Sequence, residues 1–184
     1  MGHLLGLFDR PWLAIPPTQK MCYLRYAEFH RVEDDQIAET TLFLDVISVM
    51  QQAGQDPLPP QTGASHLHPG PLTHDGVLLE AQDPDESTRT MALVDKMIDD
   101  RDVANLAGNE AGDDRMPREA LATTWHHDML WFGPAGIGAT YTIDRYQQQH
   151  QFPFRVNLTS KVFHGHIARF AEGNYAGFFG WANL

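Results

Sequence analysis

The spacing of apolar and polar positions changes several times along the chain, and each change marks a predicted element. Residues 21–32 have β character, Glu33-Asp34-Asp35-Gln36 interrupts it, and residues 37–44 resume it with Thr, Leu and Phe, which predicts a β-hairpin. From 46 to 53 the spacing turns helical, with Val46, Val49 and Met50 on one side, and Gly54 is a natural stop. Residues 55–86, rich in proline and glycine and closing on Asp83-Pro84-Asp85-Glu86, read as a linker. Ser87 then opens a long helix whose apolar positions Met91, Val94, Met97 and Ile98 recur at helical intervals. A shorter helix is predicted over 117–124, a strand over 125–132, a turn-rich loop over 133–138 and a third helix over 143–150, limited by Pro153. Residues 161–170 and 175–184 form a second hairpin around Ala171-Glu172-Gly173-Asn174, so the chain begins and ends on strands.

This order is neither βαβ alternation nor a repeat, and it predicts an α+β fold with one curved antiparallel sheet around helices. Such a sheet leaves a conical cavity suited to a small, mostly apolar ligand.

Composition narrows the function classes. At 184 residues and 20.7 kDa the chain is the size of one domain with room for a cavity. A net charge of -11, from 24 acidic and 13 basic residues, argues against nucleic acid and anionic membrane surfaces as partners. No apolar run is long enough to span a bilayer. Cys22 is the one cysteine and no leader-like segment is present, so a cytoplasmic setting is expected.

The stretch Trp125-His126-His127-Asp128-Met129-Leu130-Trp131-Phe132-Gly133-Pro134-Ala135-Gly136-Ile137-Gly138 resembles the first strand and loop of SnoaL-like polyketide cyclases, and Gln149-His150-Gln151-Phe152-Pro153-Phe154 resembles the next segment of that family. Residues 12–18 and 29–39, with Leu44-Asp45 and Gln51-Gln52-Ala53-Gly54, resemble the closing hairpin and C-terminal helix of the same fold. The family order is reversed, because the pieces resembling its C-terminal part (1–54) precede those resembling its N-terminal part (87–184). Two readings stay open: a circular permutant joined through 55–86 into one domain, or the middle of a longer tandem protein. Either set of elements could be completed by exchange between two chains, so a homodimer, segment-swapped or not, is expected.

The resemblance implies a cone-shaped half barrel packed on three helices, and cofactor-free ring closure of a polyketide ester by intramolecular aldol condensation. One carboxyl in an apolar pocket can serve there as acid or base, because desolvation raises its pKa. Asp45 is the candidate: it ends the second strand, shares a side with Thr41 and Phe43 by alternation, and matches the family's functional aspartate. Its alternative role is to cap the helix starting at Val46. Thr41 stands where relatives often carry tryptophan, so pocket size differs.

His164 and His166 share a face of a predicted strand, and His166 is the second proton-transfer candidate. No third residue completes a metal set, so no metal is expected. Of the adjacent His126 and His127 only one can face a pocket, and His126 fits better; His30 is held in reserve, while His66 and His68 lie in the linker. Trp125, Trp131, Tyr175, Phe179 and Trp181 offer an aromatic wall, of which alternation turns about half inward. The glycine-rich 133–138 loop lacks the lysine and strand-to-helix setting of a phosphate cradle. A cyclase or isomerase working through Asp45 therefore stands beside a non-catalytic ligand-binding or assembly module on the same fold. An epoxide hydrolase ranks lowest, since Asp45 and Arg25 do not complete its polar cluster.

Overall fold

The computed structural model describes residues 1–64, 78–111, 118–157 and 164–180. It is mixed α+β and divides into two compact units, Met1–His66 with Phe132–Ala139, and Leu67–Trp131 with Thr140–Leu184.

The first unit is built on an antiparallel sheet in the order β1 (Gly2–Leu7), β2 (Met21–Glu33), β3 (Gln36–Leu44). The predicted hairpin is β2–β3. Its turn places Asp34 and Asp35 at φ 49° and 60°, left-handed values that match the strand twist and that aspartate tolerates. The register shifts between Arg31 and Val32, so a bulge lies beside the turn. Helix α1 (Val46–Gln52) follows where expected, and Gly54 beyond it has φ 77°. It is tied to β2 through Gln52, whose Nε2 donates to the Tyr23 carbonyl (2.8 Å) and whose Oε1 accepts the Tyr23 N–H (3.0 Å). Strand β1 was not anticipated: its six residues show no alternation, and pairing with β2 makes it a strand.

Directly opposed residues share a sheet face. By register, Leu5 and Leu7 lie with Met21, Phe29 and Phe43 on one face, and Leu4 with Leu24, Leu42 and Leu44 on the other. Both faces are apolar near β1, and Leu4 and Leu5 are 56% and 70% exposed.

In the second unit α2 (Pro84–Ala111) starts earlier than the predicted Ser87. The acidic run read as linker is its cap and first turn, because Asp83 Oδ1 accepts the Asp85 N–H (2.9 Å) and Pro84 needs no donor there. Helix α3 (Arg118–Leu121) falls within the predicted 117–124. The predicted strand 125–132 is shorter, β4 (Leu130–Phe132), because the chain before it turns back on itself through Trp125 N–H to Leu121 and Met129 N–H to His126. β4 pairs with β5 (Ala139–Tyr141), which was not anticipated.

Helix α4 (Thr142–Tyr146) runs through a π-helical segment (Gln147–Gln151) into α5 (Phe152–Asn157), passing Pro153, where a stop was expected. Proline lacks the N–H and its ring meets the carbonyl four residues back; the wider π turn immediately upstream relieves that conflict. The last hairpin is β6 (Ala168–Glu172) and β7 (Tyr175–Phe179), shorter than predicted, with residues 161–163 and 181–184 outside the described residues. It docks on α2: Thr90 Oγ1 donates to the Gly173 carbonyl (2.7 Å), Ser87 Oγ accepts the Gly173 N–H (2.9 Å), and Arg169 pairs with Asp95 (2.7 Å). The unit's core is Leu121, Ile143 and Tyr146, flanked by Trp125, Met129 and Trp131. Among the described residues no helix is long and apolar enough to cross a membrane.

Candidate functional site

Two features of the first unit carry chemistry. The first is Asp45, where the chain leaves β3 with φ -84° and ψ 73°. Its Oδ1 accepts the Ser48 N–H (3.1 Å), which makes it the N-cap of α1. Its Oδ2 accepts the Ala135 N–H (3.1 Å) and pairs with Arg25 Nη2. The pair is largely buried, with side chains 16% exposed at Arg25 and 11% at Asp45. A carboxylate offers about four lone-pair sites, so three donors leave one, on Oδ1. Proton exchange with a substrate would have to use that position.

Thr41, Phe43 and His30 belong to the same sheet, Thr41 four residues and His30, opposite Thr40, five residues along the strand from Asp45. Thr41 faces Phe29 across the strand pair, and Phe29 meets Phe43 edge-on at 6.1 Å. Because the backbone bends at Asp45, the alternation linking it to Phe43 ends there. His30 pairs with Thr40, Nδ1 lying 2.9 Å from Thr40 Oγ1, and so lies on the opposite face from Thr41 and Phe43.

The second feature is a groove of about 420 Å³ between β1 with the segment after it and the start of β2, lined by Leu5, Leu7, Phe8, Trp12, Leu24 and Val49, with Asp9 and Arg10 as polar groups. Trp12 is held by a two-residue turn: Trp12 and Ile15 exchange backbone hydrogen bonds (2.8 and 3.2 Å) around Leu13 and Ala14 at φ 49° and 62°. Left-handed Leu and Ala cost of order 1–3 kcal/mol each, and Ile15, 2% exposed, anchors the conformation. Cys22 also lines the groove; burial raises its thiol pKa, which keeps it protonated and poorly nucleophilic at neutral pH. On β1 itself, His3 packs edge-on against Tyr23 (5.9 Å), and burial, then the Arg25 charge, lowers its pKa.

The remaining predicted residues belong to the second unit. His126 is exposed in the turn before β4, rather than on a strand facing a pocket. His164 and His166 precede β6 and are not strand residues, so the shared face expected of them does not form. His166 Nδ1 instead accepts from Arg169 Nε (3.0 Å), and its ring packs 4.6 Å from Phe178. Trp131 stacks on His150 at 4.2 Å and 16°, with Tyr146 edge-on to it at 5.4 Å. Trp181 lies outside the described residues, as do His66 and His68. Among the described residues no three His, Cys, Asp or Glu side chains gather as metal ligands would.

Sequence reading missed the groove, because β1 carries no periodic signal, and it missed the Trp131–His150 stack, which depends on the π segment. The adjacent tryptophan and paired prolines after β1 were the available signal for the groove. No family model, curated protein or solved structure matches the chain.

Proposed function

We propose that this chain binds a small, largely apolar molecule in the groove beside β1, as a non-catalytic binding or assembly module on a SnoaL-like, cone-shaped fold. The observation that carries this reading is the apolar groove with Trp12 fixed in a strained, anchored turn, since a pre-set aromatic wall lowers the ordering cost of binding. Calorimetric titration with planar aromatic esters tests it. Trp12→Ala should weaken binding at least tenfold and Trp131→Ala should not; the reverse pattern, or no binding by any such ester, overturns it.

A second reading, cofactor-free aldol ring closure with Asp45 as acid or base, is supported by the resemblance at Leu44-Asp45 and by the remaining lone pair on Oδ1. In this reading Asp45→Asn abolishes turnover of a polyketide ester while leaving its affinity intact. Unchanged turnover removes Asp45 from the chemistry.

A further inference from the structure

We infer that β1 is a self-pairing edge, and that two copies of this chain join there into one continuous antiparallel sheet. The backbone geometry is specific. Tyr23 and Arg25 in β2 direct their N–H and C=O groups away from β1: Gln52 bonds both groups of Tyr23, and the Arg25 carbonyl accepts the Asp45 N–H (3.0 Å). In an antiparallel ladder hydrogen-bonded and non-hydrogen-bonded pairs alternate, so the residues opposite these two, Leu5 and His3, turn their own N–H and C=O groups outward; Leu7 turns its N–H outward by alternation, while its carbonyl accepts the Asp9 N–H (3.1 Å). Among the described residues β1 is flanked by β2 on one side only.

The two edges of the sheet differ. The β3 edge carries Glu39, is next to the Arg31 ion pairs with Glu33 and Glu39, and ends beside a bulge, which are devices that deter strand addition. Strand β1 has no Asp, Glu, Lys or Arg and exposes Leu4, Leu5 and Leu7. In a chain of net charge -11, an uncharged strand is where a second, equally acidic copy can approach with least repulsion. One blunted edge and one open edge give a closed pair rather than a fibre. The two-fold axis that matches the outward groups passes beside Leu5, setting Leu5 against Leu5 of the second copy and His3 against Leu7 of the second copy. The groove is lined by β1, so pairing brings the second copy to its rim and adds apolar wall.

The experiment is disulfide trapping in a Cys22→Ser background. Hydrogen-bonded antiparallel partners lie about 5.5 Å apart between Cα atoms, within disulfide reach. Leu5→Cys should give a covalent dimer under mild oxidation at micromolar concentration, and Ile37→Cys, on the β3 edge and 62% exposed against 70% for Leu5, should not. Sedimentation adds a measurement without the engineered thiol: the wild-type chain should be dimeric, and Leu5→Lys, exposed and so expected to melt normally, should raise the dissociation constant at least tenfold. A monomeric wild-type chain, a dimer indifferent to Leu5→Lys, or stronger trapping at Ile37→Cys overturns the inference.

Discussion

The sheet of the first unit and the aromatic core of the second stabilise their backbones in opposite ways. Ile143, in α4, is 0% exposed and enclosed by Leu121 and Tyr146, whereas Leu5, on a strand paired along one side with β2, is 70% exposed. α4 continues through the π segment into α5 over 142–157, and helical runs of that length are marginal in water on their own, so side-chain burial of Ile143 and Tyr146 helps to hold it. Strand β1 is held by its ladder with β2 while its leucines stay in water. Regular backbone pairing and apolar burial are thus separable, and a strand can be well formed while its side chains remain available to another surface.

The sharpest way to break this comparison is to truncate one side chain from each region. Ile143→Ala should cost about 3 kcal/mol in urea unfolding, as removal of a fully enclosed side chain does, whereas Leu5→Ala measured below the dimer concentration should stay within about 0.5 kcal/mol. Equal losses would mean that the leucines of β1 are buried in solution. Next in size is Asp45→Ala, which removes the α1 cap and leaves Arg25 without its carboxylate in a largely buried setting. About 2 kcal/mol is expected, and Asp45→Asn, which keeps a cap oxygen, should recover part of it.

Ser87→Ala probes the docking of the last hairpin on α2. It leaves the Gly173 N–H without its acceptor and should cost about 1 kcal/mol by the same urea assay, with the loss localised to β6–β7 in hydrogen exchange. The smallest effect is a pH slope at His3. Its folded pKa lies below the ordinary value, so the unfolded chain binds more protons: stability is full above about pH 6.5 and falls as pH drops through the folded pKa. The melting temperature should decline from pH 7.5 to 5, and His3→Gln should flatten the slope; an unchanged slope would place its origin elsewhere.

Elements with a strong local signal were legible. The β2–β3 hairpin announced itself through Glu33-Asp34-Asp35-Gln36, and α1 through its spacing and Gly54. Of the candidate site, the capping alternative for Asp45 could be read directly, since an aspartate before a helical run has a local role. The histidine reading failed where it relied on long strands: β6 begins at Ala168, so His164 and His166 never acquire the alternation that would align them. Pro153 misled in the opposite direction, because a proline rule framed for α-helices does not foresee a π turn that absorbs it.

The sequence by itself determined the mixed α+β character, the β2–β3 turn, both ends of α1 and the existence of a long helix near Ser87. These depend on residues a few positions apart, whose periodicity and capping chemistry act within one or two turns. Tertiary structure alone decided that Asp45 meets Arg25 and Ala135, 20 and 90 positions away, that six unpatterned residues become β1, and that Trp131 stacks on His150. Such contacts follow from which surfaces meet once the elements exist, and no local period encodes that meeting.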